Sequence, residues 1–201
     1  MLALVAASYF SDITLTVAMT PSDFVWQGFM QGNKDGCKEW PIEGESTLSW
    51  HGKPLDYMPF VYKHPDYWKV IEQETKGTGN ILCSRKLFDD SEKAYNLTEK
   101  EMIENICGKL CLIGADDDTL WNTGKYIRRM DERLKKTPHK CDYEVLVYKY
   151  GTHFVFPETL IKLLVPGFSK FVMKFIFKSA KEHADECRQT RIDIDLKLRK
   201  V

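Results

Sequence analysis

The feature that most constrains this chain is the apolar run from Gly108 through Gly114, which has the length of a strand, leads into Asp116, Asp117 and Asp118, and gives way to a helical pattern near Asn122. A run that stays apolar without alternating predicts a strand buried on both faces, with parallel neighbours and helices covering it above and below. The three carboxylates then fall at the C-terminal edge of that strand, which is where open α/β sheets gather their ligands and reacting groups. Residues 143–150 repeat the arrangement, since a second strand-length stretch closes at Gly151-Thr152-His153.

An acid at one strand end followed by a His at the next is the back half of a Ser…Asp…His order. The front half is missing, because no Gly-x-Ser-x-Gly occurs in the 201 residues. Ser8 lies inside an Ala-rich helical run rather than on a sharp strand-to-helix turn, and no Cys sits between glycines in an elbow-like pattern, so neither supplies a substitute nucleophile. A lone His is more often structural than catalytic. The Gly-Thr-His-Phe setting after a strand, with an Asp at the previous strand's edge, reverses that balance for His153.

Composition removes several alternatives. Lys plus Arg (29) equal Asp plus Glu (29), so no overall field recruits nucleic acid, and 43% hydrophobic residues are too many for a disordered chain. No apolar run reaches the ~18 residues of a membrane span. The six Cys form no Cys-x-x-Cys pair, so no metal is expected, and they read as reduced thiols of a cytoplasmic protein.

Along the chain, residues 1–10 suggest a helix without a capping residue ahead of it, and 12–19 suggest a strand closed by Thr20-Pro21-Ser22. Residues 24–96 read as a loop or lid region, rich in aromatics, Gly and Pro, with a short amphipathic pattern after 64. Trp26 and Trp50 in that stretch, with Trp121 beside the carboxylates, are candidates for a substrate-binding wall; the alternative is that such aromatics pin a long loop to the body. Gly77 and Gly79 echo a phosphate loop weakly, without a preceding strand or a Walker Lys, and a surface turn fits better. Thr98 and Glu101 offer a capping box for a short helix. Tyr126, Ile127, Met130 and Leu134 mark the buried face of the helix after Trp121, whose Arg128, Arg129, Arg133, Lys135 and Lys136 suit either a phosphorylated ligand or a solvated face near a helix C-terminus. Residues 180–200 carry Ile192, Ile194, Leu196 and Leu198 at strand spacing among helix-favouring residues, and helix is the reading preferred.

Four segments taken in order, Ser46 to Leu55, Ile103-Glu104-Asn105-Ile106, Gly114 to Trp121 and Gly151-Thr152-His153, resemble the successive signatures of the acyl-CoA thioester hydrolase/bile-acid-CoA:amino acid N-acyltransferase C-terminal domain family. The resemblance implies an α/β-hydrolase domain related to dienelactone hydrolases, acting on acyl thioesters or esters through Ser, Asp and His without a cofactor. The family's acid stands two residues before an apolar residue and then Trp, which selects Asp118; counting three from Gly114 selects Asp117 instead. In the family the segment resembling residues 2–10 follows the nucleophile and its Gly, so the resemblance implies the C-terminal half of the fold, residues 1–201 as a partial domain with the Asp and His strand ends in 108–201. Without a nucleophile such a chain is expected to be inactive alone, as a hydrolase portion or as a non-catalytic remnant or partner-binding fragment. The strand at 12–19, with Ile13, Leu15 and Val17, is then an open edge through which the chain self-associates.

Overall fold

The computed structural model describes residues 1–30, 40–95, 103–164 and 174–200. Its centre is a three-stranded parallel sheet, in which β6 (Lys109–Ala115) lies between β1 (Leu15–Met19) and β7 (Asp142–Tyr148). Register runs from Leu15 opposite Lys109 to Met19 opposite Ile113 on one side, and from Lys109 opposite Asp142 to Ala115 opposite Tyr148 on the other. All of β6 beyond Lys109 is buried, as its unalternating sequence requires.

The pleat sends alternate side chains to two separate cores. Leu110 and Leu112 meet Leu4 and Ala7 of α1 (Leu2–Tyr9) and Ile127, Met130 and Leu134 of α4 (Thr123–Lys136). Cys111, Ile113 and Ala115 meet Leu146, Val155 and Ile194, the last from α7 (Ala184–Leu198). α7 is helical despite the two-residue spacing of its apolar positions. A helix distributes those positions around its axis, so Ile194 is buried while Leu196 is 54% exposed. The four residues that mark the α4 face, Tyr126, Ile127, Met130 and Leu134, are all buried, and the Asn122 side chain caps the helix by accepting from the Lys125 amide.

Residues 24–96 differ from the expected loop. They hold the antiparallel pair β2 (Gln27–Met30) and β3 (Trp40–Ser46), the short pair β4 (Ser49–Trp50) and β5 (Lys53–Pro54), and the helices α2 (Asp66–Thr78) and α3 (Arg85–Tyr95). The physical reason is a third core, in which Phe24, Trp26, Met58, Phe60, Tyr67, Ile71, Leu87 and Phe88 pack with Tyr126 of α4. Trp26 stacks on Phe60 with centroids 5.1 Å apart and meets Phe88 edge-on at 4.6 Å. Gln27 ties the layer together, donating to the Ile42 carbonyl and accepting from the Phe60 amide. Gly79 is the left-handed C-cap of α2, with φ of 74°, and Gly77 lies within that helix. The capping box at Thr98 and Glu101 falls outside the described residues; the chain resumes in a single 3-10 turn, Ile103–Asn105. The Pro166-Gly167 pair, where the sequence suggests a break in the apolar stretch 158–178, and Cys37 also fall outside them. After β7 come α5 (Glu158–Leu164) and the short α6 (Lys178–Glu182).

Candidate active site

Parallel pairing is what brings the acid and the His together. β6 and β7 end on the same edge, and the Asp116 amide donates to the Tyr148 carbonyl at 2.9 Å, carrying the ladder one step past the end of β6. The loops beginning at Asp116 and at Lys149 therefore leave side by side.

The three consecutive carboxylates have three different partners. Asp116 takes a two-pronged contact from the Arg128 guanidinium, at 2.7 and 2.8 Å. Asp117 turns toward the His loop, where one of its oxygens accepts from the Gly151 and Thr152 amides at 3.0 and 2.8 Å. Its other oxygen accepts from the Ser179 hydroxyl. Asp118 is fully buried, and its Oδ2 lies 2.9 Å from His153 Nδ1. The same oxygen accepts from the Thr123 hydroxyl, while Oδ1 accepts from the Leu120 amide at 2.9 Å. Three donors on one buried carboxylate offset the cost of removing its charge from water, which without them runs to several kcal/mol. Burial pushes the Asp117 carboxyl above the ordinary carboxylate range, against the pull of Ser179, Thr152 and Gly151.

A carboxylate oxygen only accepts, so Nδ1 of His153 is the protonated nitrogen and Nε2 is the atom able to take a further proton. The His153 side chain is 14% exposed. Its ring meets Trp121 edge-on at 4.4 Å, and the Trp121 indole donates to the carbonyl of Thr20, the residue just past β1. Trp121 thus links the ends of all three strands. The other two tryptophans lie elsewhere. Trp26 is 5% exposed within the aromatic core, its indole donating to Ser22 Oγ at 2.7 Å, and Trp50 packs on Tyr9 and Phe10.

Three contributors escaped the sequence reading. Thr123 reaches Asp118 because Gly114 has no side chain: a Cβ there would stand 2.2 Å from the Thr123 methyl. Its sequence signal is a hydroxyl at the first helical position, which on its own is unremarkable. Arg85 holds the carbonyls of Asp116 and Asp118, each at 3.2 Å, and Ser179 comes from a helix remote in sequence; neither carries a local signal.

Other candidates find different occupations. Ser8 donates to the Val5 carbonyl inside α1. Burial pushes the Cys111 thiol up to about 11 and the Cys187 thiol up to about 12, so neither is a thiolate at neutral pH. All six cations of α4 face carboxylates: Lys125 with Asp89 and Glu92, Arg128 with Asp116, Arg129 with Asp23 and Glu92, Arg133 with Glu104, Lys135 with Asp131 and Lys136 with Glu132. Among the described residues no group of three His, Cys, Asp or Glu is placed to hold a metal ion, and no helix is long and apolar enough to cross a membrane. A cavity of about 410 Å³ lined by Lys109, Asp142 and Lys197 sits at the opposite, N-terminal edge of the strands.

A parallel sheet between helical layers, with an acid and an imidazole in contact at successive strand ends, is an α/β-hydrolase-like arrangement. The family model described as BAAT / acyl-CoA thioester hydrolase C terminal matches residues 1–160, and the chain belongs to that family. Comparison with curated proteins finds no match.

Proposed function

We propose that Asp118 and His153 are the acid and base of a site acting on acyl thioesters or carboxylic esters, and that its serine nucleophile is not among these 201 residues. The observation that carries the reading is the 2.9 Å contact between His153 Nδ1 and a fully buried Asp118. With a serine in reach, His153 Nε2 takes the hydroxyl proton as the oxygen attacks the acyl carbonyl, and Asp118 stabilises the imidazolium that results. The tetrahedral intermediate collapses as the C–S bond breaks, and His153 returns the proton to the departing thiolate. Water or an amine then repeats the cycle on the acyl-enzyme, giving hydrolysis or acyl transfer. Of the three tryptophans, we assign the substrate's approach to Trp121, a reading supported by its edge-on contact with His153. The reduced thiols at Cys83, Cys107, Cys111, Cys141 and Cys187 favour a cytoplasmic setting.

The 201-residue chain is expected to hydrolyse acyl-CoA and aryl esters no faster than its His153→Ala variant. The same chain preceded in frame by a strand and a Gly-x-Ser-x-Gly elbow is expected to gain turnover that His153→Ala abolishes. Turnover by the chain alone that disappears in His153→Ala would show that a nucleophile within it has been overlooked.

A partner-binding reading is favoured by β1. Among the described residues this strand pairs only with β6, and Leu15 at its start is 47% exposed. An open strand edge pairs readily with another chain. On this reading the isolated chain self-associates, and light scattering after size exclusion tests it; a sharp monomer peak across a hundredfold range of concentration removes it.

A further inference from the structure

Asp117 is half-buried and adjacent to the residue that touches His153, yet its own carboxylate is directed at two backbone amides and the Ser179 hydroxyl. Its Oδ1 accepts from two successive amides, Gly151 and Thr152, immediately ahead of His153 in the chain. Thr152 is held at a φ of 59°, in the left-handed region that a β-branched residue avoids, so the surroundings must offset the strain. Two charge-assisted bonds to one carboxylate oxygen are strong enough to hold that conformation. The turn is then closed on its far side, where the Phe154 amide donates to Thr152 Oγ1 at 3.2 Å. His153 therefore stands between two anchored residues.

The rest of the loop is tied to α7. Thr190 Oγ1 donates to the Tyr150 carbonyl at 2.5 Å before the turn, and after it Arg191 Nε meets Glu158 at 2.8 Å, both side chains almost fully buried. Gly151 packs so closely between these layers that a Cβ would lie 2.6 Å from Val155 and 3.1 Å from Ala115. These ties fix the loop's two ends against α7. The backbone just before His153 is fixed against the acid loop by Asp117 alone of the three carboxylates.

We propose that Asp117 is a positioning residue for His153: it holds the Gly151-Thr152 backbone so that the imidazole presents Nδ1 to Asp118 and Nε2 outward. The proposal rests on the reading of Asp118 and His153 as acid and base, and adds that consecutive aspartates divide the work, one touching the imidazole and one setting the backbone that carries it.

The test is the tautomer of neutral His153, read from imidazole ¹⁵N shifts in the full chain. The unmutated protein is expected to hold the Nδ1–H form. Asp118→Asn is expected to invert that preference, because an amide can offer an N–H to Nδ1. Asp117→Ala is expected to lower the Nδ1–H to Nε2–H ratio by about threefold or more, through loss of placement. Asp117→Asn, whose Oδ1 still accepts both amides, is expected to keep the unmutated ratio. A folded Asp117→Ala with an unchanged ratio overturns the proposal, as does an Asp117→Asn as disturbed as Asp117→Ala. If Asp118→Asn leaves the tautomer unchanged, the acid–base reading itself fails, whatever the Asp117 variants show. Should Asp117→Ala not fold, Asp117→Glu decides: its extra methylene moves the carboxylate off the Gly151 and Thr152 amides, the Nδ1–H to Nε2–H ratio is expected to fall, and a folded Asp117→Glu with an unchanged ratio overturns the proposal.

Discussion

The sheet region and the aromatic region between residues 24 and 95 are both well buried, yet they are built in different ways. In the sheet, each side chain's destination follows from its place on a strand: Leu110 and Leu112 go to one core, and Cys111, Ile113 and Ala115 to the other. In the aromatic region no such rule operates. Trp26, Phe60 and Phe88 meet across wide gaps in sequence, and each contact depends on the whole layer having assembled. Periodic burial is visible in a few neighbouring residues, whereas a cluster assembled from distant aromatics is visible only after folding.

That contrast sets the largest expected effects. Leu112→Ala removes a fully buried side chain from the middle of the central strand and is expected to cost about 2–5 kcal/mol, and Trp26→Ala about 3–5 kcal/mol, partly because Ser22 Oγ loses its indole partner. Tyr126 belongs to α4 and also packs in the aromatic core, so the two regions share a helix. One cooperative urea transition is therefore expected for both variants, shifted to lower midpoint. If Trp26→Ala instead splits the transition in two while Leu112→Ala does not, the aromatic region is a separate folding unit, and the comparison becomes one of two units rather than two ways of building one.

The meeting of Asp118 with His153 was legible for the same reason as the sheet. Asp118 and His153 each follow a strand whose unbroken or near-alternating apolar pattern announces where it ends, and parallel strands end on one edge. Choosing among Asp116, Asp117 and Asp118 was harder, because a strand end fixes the place of a carboxylate without fixing its direction. Asp118 is selected by Thr123, which enters through the space left by Gly114, and by the Leu120 amide. Asp117 is selected for backbone by the amides of Gly151 and Thr152. The Asp117 bonds run between two loops, and nothing in the local sequence of either specifies them; the Asp118 bonds are local, but the packing of Thr123 over Gly114 is what sets them.

α4 brings the comparison down to single residues, because its cations look alike in sequence and differ in surroundings. Arg129 Nε lies 2.5 Å from a carboxylate oxygen of Asp23, whose side chain is 1% exposed, and Nη1 lies 2.7 Å from Glu92. Its guanidinium also faces the rings of Phe24 and Tyr126, about one ring's reach into the aromatic core. Burial raises the Glu92 carboxyl, but its bond from Lys125 and the charge of Arg129 outweigh that and leave it below its ordinary value. Arg129→Ala would strand the buried Asp23 charge without this partner, and is expected to cost about 3–5 kcal/mol in urea unfolding. Lys136 pairs with Glu132 one turn away, with side chains 76% and 68% exposed, so water competes for both charges and salt screens them. Lys136→Ala is accordingly expected to stay within about 0.5 kcal/mol of the unmutated chain, with the difference shrinking as salt rises. A cost for Lys136→Ala comparable to that of Arg129→Ala would mean that the helix surface contributes as much as the contact with the aromatic core, and that partner burial is not what separates two cations on one helix.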